Sequence, residues 1–208
     1  MRQTPEFVTT TELMAWARQH MSEKGWARLD GGAETETTTA RNRQAFDTLA
    51  FQPRVLNNVA HISTTAEFLG QTLRIPVMPA PVGSTHLYVE DGHASVVRAC
   101  EAFGTVPILS SNIVVNTIEG IGAVSSWPKM LQLGISGDLA WTHDAIARAR
   151  DAGYRALCIA FDTPRFGRME REMMAAHEPI RPTHPLRMGM DWETLPKVIA
   201  GAGMPLTA

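Results

Sequence analysis

The hydrophobic pattern of the chain changes near Leu73. From there, short apolar runs that end in Gly, Ser, Asp or Pro alternate with longer amphipathic segments, which is typical of strands followed by helices. The predicted strands are Ile75–Met78, Val106–Leu109, Met130–Leu133, Ala156–Phe161 and Pro205–Thr207. The predicted helices are Gly92–Phe103, Thr117–Ala123, Trp141–Ala152 and Trp192–Ala202. Strands that are apolar on both faces, each followed by a helix, indicate βαβ units and a parallel sheet.

The part of the chain before Leu73 follows a different pattern. Thr9 and Glu12 fit a capping box at the start of a helix that runs to about Met21. Beyond it, scattered apolar residues without a clean period predict an irregular extension with short helices. We therefore divide the chain into an N-terminal helical extension, residues 1–72, and an α/β domain, residues 73–208. Residues 165–190, rich in Met, Arg, His and Pro, predict a long mobile loop in that domain.

Two architectures are compatible with this order of elements, a doubly wound open sheet and a (β/α)8 barrel. A barrel typically takes about 250 residues. Residues 73–208 hold four strand-helix units and the start of a fifth strand. If the fold is a barrel, the sequence therefore predicts a partial TIM (β/α)8 barrel, equivalent to its N-terminal half.

Composition and charge exclude several partners. The chain has 208 residues, of which 44% are hydrophobic and 19% charged, and this composition is typical of a globular protein. A formal net charge of -2 without a cluster of Lys and Arg argues against nucleic acid. Because no stretch reaches the roughly 20 apolar residues of a membrane span, we expect no span and a cytoplasmic protein. The two cysteines, Cys100 and Cys158, lack metal or redox spacing and are predicted to be buried reduced thiols.

Generic motifs contribute little to the functional prediction. The chain has no GxxxxGK[ST], HExxH or GxSxG sequence, and no metal site is predicted. Gly120-Ile121-Gly122 lacks the third glycine of a dinucleotide loop and is better explained as a turn.

The ends of the predicted strands are more informative. They run into Pro81-Val82-Gly83, Ser110, Gln132 and Asp162, and a parallel α/β enzyme gathers its site at these ends. Each of these residues alone could simply end a strand. Their recurrence at four successive strands favours a binding site.

The same segments carry a resemblance to a known family. The chain resembles the FMN-dependent 2-hydroxy-acid oxidases and dehydrogenases, which include glycolate oxidase, lactate oxidase and mandelate dehydrogenase. Order and spacing fit from about Trp26 to Arg171. The matching segments are Gly32-Ala33-Glu34, Arg41-Asn42-Arg43-Gln44-Ala45-Phe46-Asp47, Pro53-Arg54-Val55-Leu56, Leu69-Gly70, Pro76-Val77-Met78-Pro79-Ala80-Pro81, Leu109-Ser110-Ser111, Gln132-Leu133 and Asp162-Thr163-Pro164-Arg165-Phe166-Gly167-Arg168.

The resemblance implies FMN as cofactor, a small 2-hydroxy acid as substrate and particular roles for several residues. Backbone groups of Pro81, Val82 and Gly83 would reach the flavin ring, and Ser110 and Gln132 would hydrogen-bond it. Asp162 would orient a catalytic histidine and favour its protonated form. Substrate identity stays open, because the chain departs from the family at four positions. Arg28 and Gly134 stand in place of two tyrosines, Ala160 in place of a threonine and Met169 in place of an arginine.

The resemblance also sets an expectation for the C-terminal end. Family chains continue through a flavin-contacting lysine, the histidine base and a phosphate site, so we expect a truncated member that binds FMN weakly if at all. Open sheet edges would favour a homo-oligomer or another self-associating form. The alternative is a noncatalytic half-barrel that serves as a scaffold or complementing half. None of the histidines matches the catalytic motif, so His61, His86, His93, His143, His177 and His184 are each expected on the surface or in loops.

Overall fold

A computed structural model describes residues 6–111, 117–162, 166–175 and 184–207 of the chain. The helices, in chain order, are α1 (Thr10–His20), α2 (Glu23–Asp30), α3 (Thr37–Asp47), α4 (His93–Phe103), α5 (Ile118–Gly122), α6 (Leu139–Asp151), α7 (Glu170–Met174), α8 (Pro185–Met188) and α9 (Leu195–Val198). The strands are β1 (Ala66–Phe68), β2 (Gln71–Leu73), β3 (Ile108–Ser110), β4 (Met130–Gly134), β5 (Ala156–Ala160) and β6 (Leu206–Thr207).

These elements belong to two compact units. The first comprises Met1–Phe51 and Gly167–Pro179, and its described elements are α1, α2, α3 and α7. Here the predicted capping box is confirmed, since the Thr9 hydroxyl accepts from Glu12 N at 3.2 Å and the Glu12 carboxylate accepts from Thr9 N at 3.0 Å. The second unit comprises Gln52–Phe166 and Ile180–Ala208.

A parallel sheet in the order β3-β4-β5-β6 forms the centre of the second unit. On one face of this sheet, alternate residues pack against the buried sides of the helices. Those strand residues are Leu109, Leu131, Leu133, Leu157 and Ile159, and the helices contribute Val97, Ile121, Ile146, Ala149 and Val198. Since a strand buries alternate side chains, Ser110, Gln132 and Cys158 belong to the opposite face. The fold is therefore α/β with a parallel sheet, as predicted.

The hairpin of β1 and β2 was missed by the sequence prediction. Its strands pair antiparallel through the two-residue turn Leu69-Gly70, where φ is 50° at Leu69 and 73° at Gly70. Positive φ at both turn positions matches the right-handed twist of paired strands and favours glycine at the second. A second apolar cluster joins this hairpin to the sheet, with Leu73 packed together with Met130 and Ala156.

The prediction of a strand over Ile75–Met78 is wrong, because the structure forms no regular strand there. The segment still runs beside the residues before β3, where Arg74 N donates to Gly104 O at 2.9 Å and Ile108 N to Pro79 O at 3.3 Å. Pro76 and Pro79 have no backbone N–H and cannot donate to a ladder. The described residues thus contain four parallel strands where the sequence predicted five.

Other boundaries differ locally from the prediction. Gly120 and Gly122 lie in α5, which agrees with the helix predicted over Thr117–Ala123 and not with the turn proposed for the two glycines. A Cβ added at Gly122 would meet Ala152 O at 2.5 Å, so glycine allows close approach to the end of α6. The helix predicted over Trp192–Ala202 shortens to α9. In the segment predicted as a loop, the described residues form α7 and α8, while 176–183 lie outside the described part. In the part of the chain that the structure describes, no helix is long and apolar enough to cross a membrane.

Candidate active site

A row of side-chain positions crosses the parallel sheet near its carboxyl end. In the ladder, Ser110 is paired with Gln132, Gln132 with Cys158 and Cys158 with Thr207. Residues in register on adjacent strands share one face of a sheet, so these hydroxyl, amide and thiol groups form a continuous polar row. Ser110 is buried, whereas Gln132 and Cys158 are half-buried.

The Cys158 thiol interacts with its neighbours in this row. Burial raises its pKa, Asp162 raises it further through its negative charge, and a hydrogen bond with the Gln132 side chain acts in the opposite direction. The thiol is thus held in its protonated, weakly nucleophilic form. Both cysteines are free, and Cys100 is buried as predicted, but Cys158 is only half-buried because it lies on the face opposite the helices.

Ser111 fixes the ends of β3 and β4 to each other. Its backbone N–H donates to Gln132 O at 2.8 Å, and its hydroxyl accepts from Gly134 N at 2.9 Å. The two bonds continue the ladder one residue beyond β3 and hold the backbone on both sides of Leu133, directly after Gln132. This arrangement preorganises Gln132 for a ligand.

The segment Pro81-Val82-Gly83 follows the irregular stretch that replaces the first predicted strand. Val82 is exposed, and Pro81 and Gly83 are half-buried. Directly after it, Ser84 has a φ of 57° and begins a 3-10 turn over Thr85–Leu87. Exposed backbone next to a fixed turn can offer N–H and C=O groups to a planar ligand.

His93 contacts this turn. The expectation that it lies on the surface or in a loop is wrong. The ring is buried, and its Nδ1 lies 3.0 Å from the hydroxyl of Thr85, which is also buried. Burial lowers the pKa of His93, the nearby His86 lowers it further, and a contact with the Val82 backbone acts in the opposite direction. Its place beside Gly92 at the start of α4 is the only sequence signal, and the burial comes from the fold. His177 lies outside the described residues.

Asp162 follows β5 and is exposed. Its charge reaches the polar row, as its effect on the pKa of Cys158 indicates. Residues 163–165 after it lie outside the described part. An exposed carboxylate at the end of a central strand can hold a cationic or protonated partner.

Two of the four departures lie at strand ends on the same face as the polar row. Gly134 and Ala160 are paired in register at the ends of β4 and β5, and neither offers a polar side chain. The guanidinium of Arg187, from α8, lies beside Gly134: a Cβ added there would be 3.7 Å from Arg187 Nη1. The guanidinium thus lies at the distance of ordinary van der Waals contact from a Cβ at Gly134.

The other two departures lie in the first unit. Arg28 forms an ion pair of 2.8 Å with Glu172, whose side chain is 1% exposed. Next to Glu172 in sequence, Arg171 pairs with Asp30 and Glu36, and the hydrogen bond from Arg171 lowers the pKa of Glu36. These ion pairs join α7 to α2 and to the start of α3. Met169 directly precedes α7.

A parallel sheet with hydroxyl, amide and carboxylate groups at its carboxyl end is the arrangement in which α/β proteins place their ligand sites. The sequence profile of the family described as FMN-dependent dehydrogenase matches residues 17–203. The chain therefore belongs to this FMN-dependent family, and the resemblance drawn from the sequence is confirmed.

Individual relatives agree with this assignment. The chain is 32% identical to glycolate oxidase 1 of Zea mays over 168 residues. This alignment covers 81% of the chain and 45% of glycolate oxidase 1. The chain is 35% identical over 156 residues to an L-lactate dehydrogenase of Caulobacter sp. (strain K31), covering 75% and 41% respectively. A crystal structure of mandelate oxidase superposes with a TM-score of 0.85 at 25% identity, over 97% of this chain and 62% of that one. The chain thus spans about half the length of the curated relatives it matches.

Proposed function

We propose that the chain supplies the flavin-facing part of an enzyme that oxidises a 2-hydroxy acid to a 2-oxo acid with FMN as cofactor. Residues 73–208 would form the N-terminal half of an FMN-binding (β/α)8 barrel, and residues 1–72 its helical extension. The observation that carries this proposal is the row of Ser110 and Gln132 in register on neighbouring parallel strands, held by Ser111. The names of the relatives support the reaction class.

The residues present fit a flavin ring chemically. An isoalloxazine carries N and O atoms along one edge and needs a few donors and acceptors at fixed positions. Ser110 would supply a hydroxyl, Gln132 an amide with both donor and acceptor, and Pro81, Val82 and Gly83 the backbone groups. Bound FMN would accept the hydride equivalent of the alcohol. The chain's own residues would bind and orient the ring and exclude water from it.

Asp162 has the remaining proposed role. A carboxylate next to an imidazole orients the ring and stabilises its protonated form, as a base needs after taking up the hydroxyl proton. We assign Asp162 to this position beside a histidine that these 208 residues do not supply in a matching motif. Its exposure after β5 leaves its oxygens accessible to such a partner.

The proposal is tested by titrating FMN fluorescence with the purified chain. We expect weak but saturable quenching, and Gln132→Leu should raise the Kd about tenfold, because two polar contacts to the ring are lost. Gln44→Leu, an exposed position on α3, is the matched control and should leave the Kd unchanged. Equal affinities of the two variants, or the absence of saturable quenching by the parent chain, would contradict the proposed flavin site.

A further inference from the structure

His93 is a buried histidine to which the proposed function gives no role. It is the first residue of α4 and is 3% exposed. Its Nδ1 forms a hydrogen bond of 3.0 Å with the hydroxyl of Thr85, which is 7% exposed, whereas its Nε2 has no hydrogen-bond partner among the described residues. Burial of a polar ring costs free energy that hydrogen bonds must offset, so the single bond to Thr85 is an important one.

Thr85 is the centre of the 3-10 turn that follows Pro81-Val82-Gly83 almost directly. Its carbonyl oxygen accepts from Tyr88 N and from Val89 N, both at 3.0 Å. Its side chain is held by His93, and the Val82 backbone lies close enough to the same ring to raise the pKa of His93 against the effect of burial. A change in the conformation of Thr85 would therefore be passed to the segment before the turn.

A tight reversal of the chain brings His93 back to this turn. Gly92 N donates to Val89 O at 3.0 Å, and Gly92 has φ 55° and ψ -129°, a conformation that glycine adopts readily and other residues avoid. Directly after His93, Ala94 and Val97 of α4 belong to the apolar core that packs on the sheet. His93 is thus part of a rigid helix, whereas the segment before the turn forms neither helix nor strand.

We propose that His93 is a positioning residue for the flavin, because through Thr85 it holds Pro81-Val82-Gly83 in the conformation that receives the ring. This inference rests on the proposed function. Backbone that is already ordered in its binding conformation loses little entropy when the ligand binds, so affinity rises without a further contact. The role requires the hydrogen bond between His93 and Thr85 and no contact of His93 with the flavin.

The first measurement is hydrogen exchange of the Tyr88 and Val89 amides in the full chain, followed by NMR without ligand. We expect both amides to exchange about tenfold faster in Thr85→Val and in His93→Phe, because the turn opens more often without the bond. His93→Asn should exchange less than about threefold faster, since its side-chain amide can take the place of Nδ1. Thr65→Val, an exposed threonine in the same unit, is the matched control and should exchange like the parent chain.

The second measurement is the Kd of riboflavin, which carries the flavin ring alone, by fluorescence titration of variants that circular dichroism shows to be folded. Thr85→Val and His93→Phe should each raise the Kd about fivefold, and the double variant should raise it no further, because both changes break the same bond. His93→Asn should recover most of the parent affinity. A residue that only stabilises the fold would leave the Kd of the folded chain unchanged.

Parent exchange rates in Thr85→Val and His93→Phe overturn the proposal, and so does parent affinity for riboflavin in folded variants whose turn exchanges faster. If His93→Phe fails to fold, the comparison of Thr85→Val with Thr65→Val decides. A parent chain that binds no riboflavin removes the proposed flavin site, and faster exchange in the variants then leaves His93 a structural role only. Riboflavin binding that is unaffected by the variants removes the role of His93 alone.

Discussion

The backbone N–H of Gly134 donates to the hydroxyl of Ser111 at 2.9 Å and so joins the ends of β4 and β3. The same Ser111 donates its backbone N–H to Gln132 O at 2.8 Å. A single serine therefore fixes the backbone directly after Gln132, whose side chain we assign to the flavin.

Replacement of this serine should destabilise the sheet end. Ser111→Ala leaves the Gly134 N–H without its acceptor, and we expect a loss of about 1 kcal/mol in the free energy of unfolding. Urea denaturation monitored by circular dichroism measures the change. Ser63→Ala, at an exposed position outside the sheet, should lose less than about 0.5 kcal/mol. Equal losses for both variants would contradict the structural role of Ser111.

The buried His93 should make stability depend on pH. Burial lowers its pKa below the ordinary value of 6.5, so the unfolded chain binds more protons than the folded one at pH below 6.5. The contribution of His93 is fully present above pH 6.5 and decreases as the pH falls, until the folded ring is also protonated. We expect the urea midpoint to fall between pH 7.5 and pH 5.5, and His93→Gln to reduce that fall. His61→Gln, an exposed histidine, should not; an identical fall in both variants would exclude His93 as the cause.

The ion pair of Arg28 with the buried Glu172 should stabilise the first unit. Arg28→Met leaves a carboxylate that is 1% exposed without this cation, and we expect a loss of about 3 kcal/mol. Arg18→Met removes an ion pair between exposed side chains, Arg18 and Glu23, and should cost less than about 1 kcal/mol. Protease resistance of the N-terminal helices, followed by mass spectrometry, locates the effect. Similar losses of unfolding free energy in Arg28→Met and Arg18→Met would show that the burial of Glu172 does not strengthen its ion pair.

The proposed contacts involve the flavin ring, so the ligand's phosphate should contribute little to binding by this chain. Riboflavin has the same ring and lacks the phosphate. We expect riboflavin and FMN to bind with Kd values within a factor of about two of each other, measured by fluorescence titration at constant ionic strength. Much tighter binding of FMN would locate a phosphate site within these 208 residues.

The sequence by itself determined the local elements and the family. Alternation of apolar runs and amphipathic segments predicted β3 to β5 and helices α4 to α6 to within a few residues, because these features depend on the residues inside each element. The same pattern put Ser110 and Gln132 at strand ends. The pattern failed at Ile75–Met78, where an apolar run predicts a strand that the structure does not form. Pro76 and Pro79 have no backbone N–H and cannot complete a ladder with the neighbouring segment.

Only the tertiary structure decided which distant groups meet. His93, at the start of α4, is buried beside Thr85 of the preceding 3-10 turn, and a lone histidine gives no pattern that predicts burial. Arg187 lies beside Gly134, 53 positions earlier in the sequence, because α8 packs at the end of the sheet. Local periodicity indicates which face of a helix or strand is buried. Contacts between distant residues depend instead on how the elements pack, and a single sequence carries no direct signal of that packing.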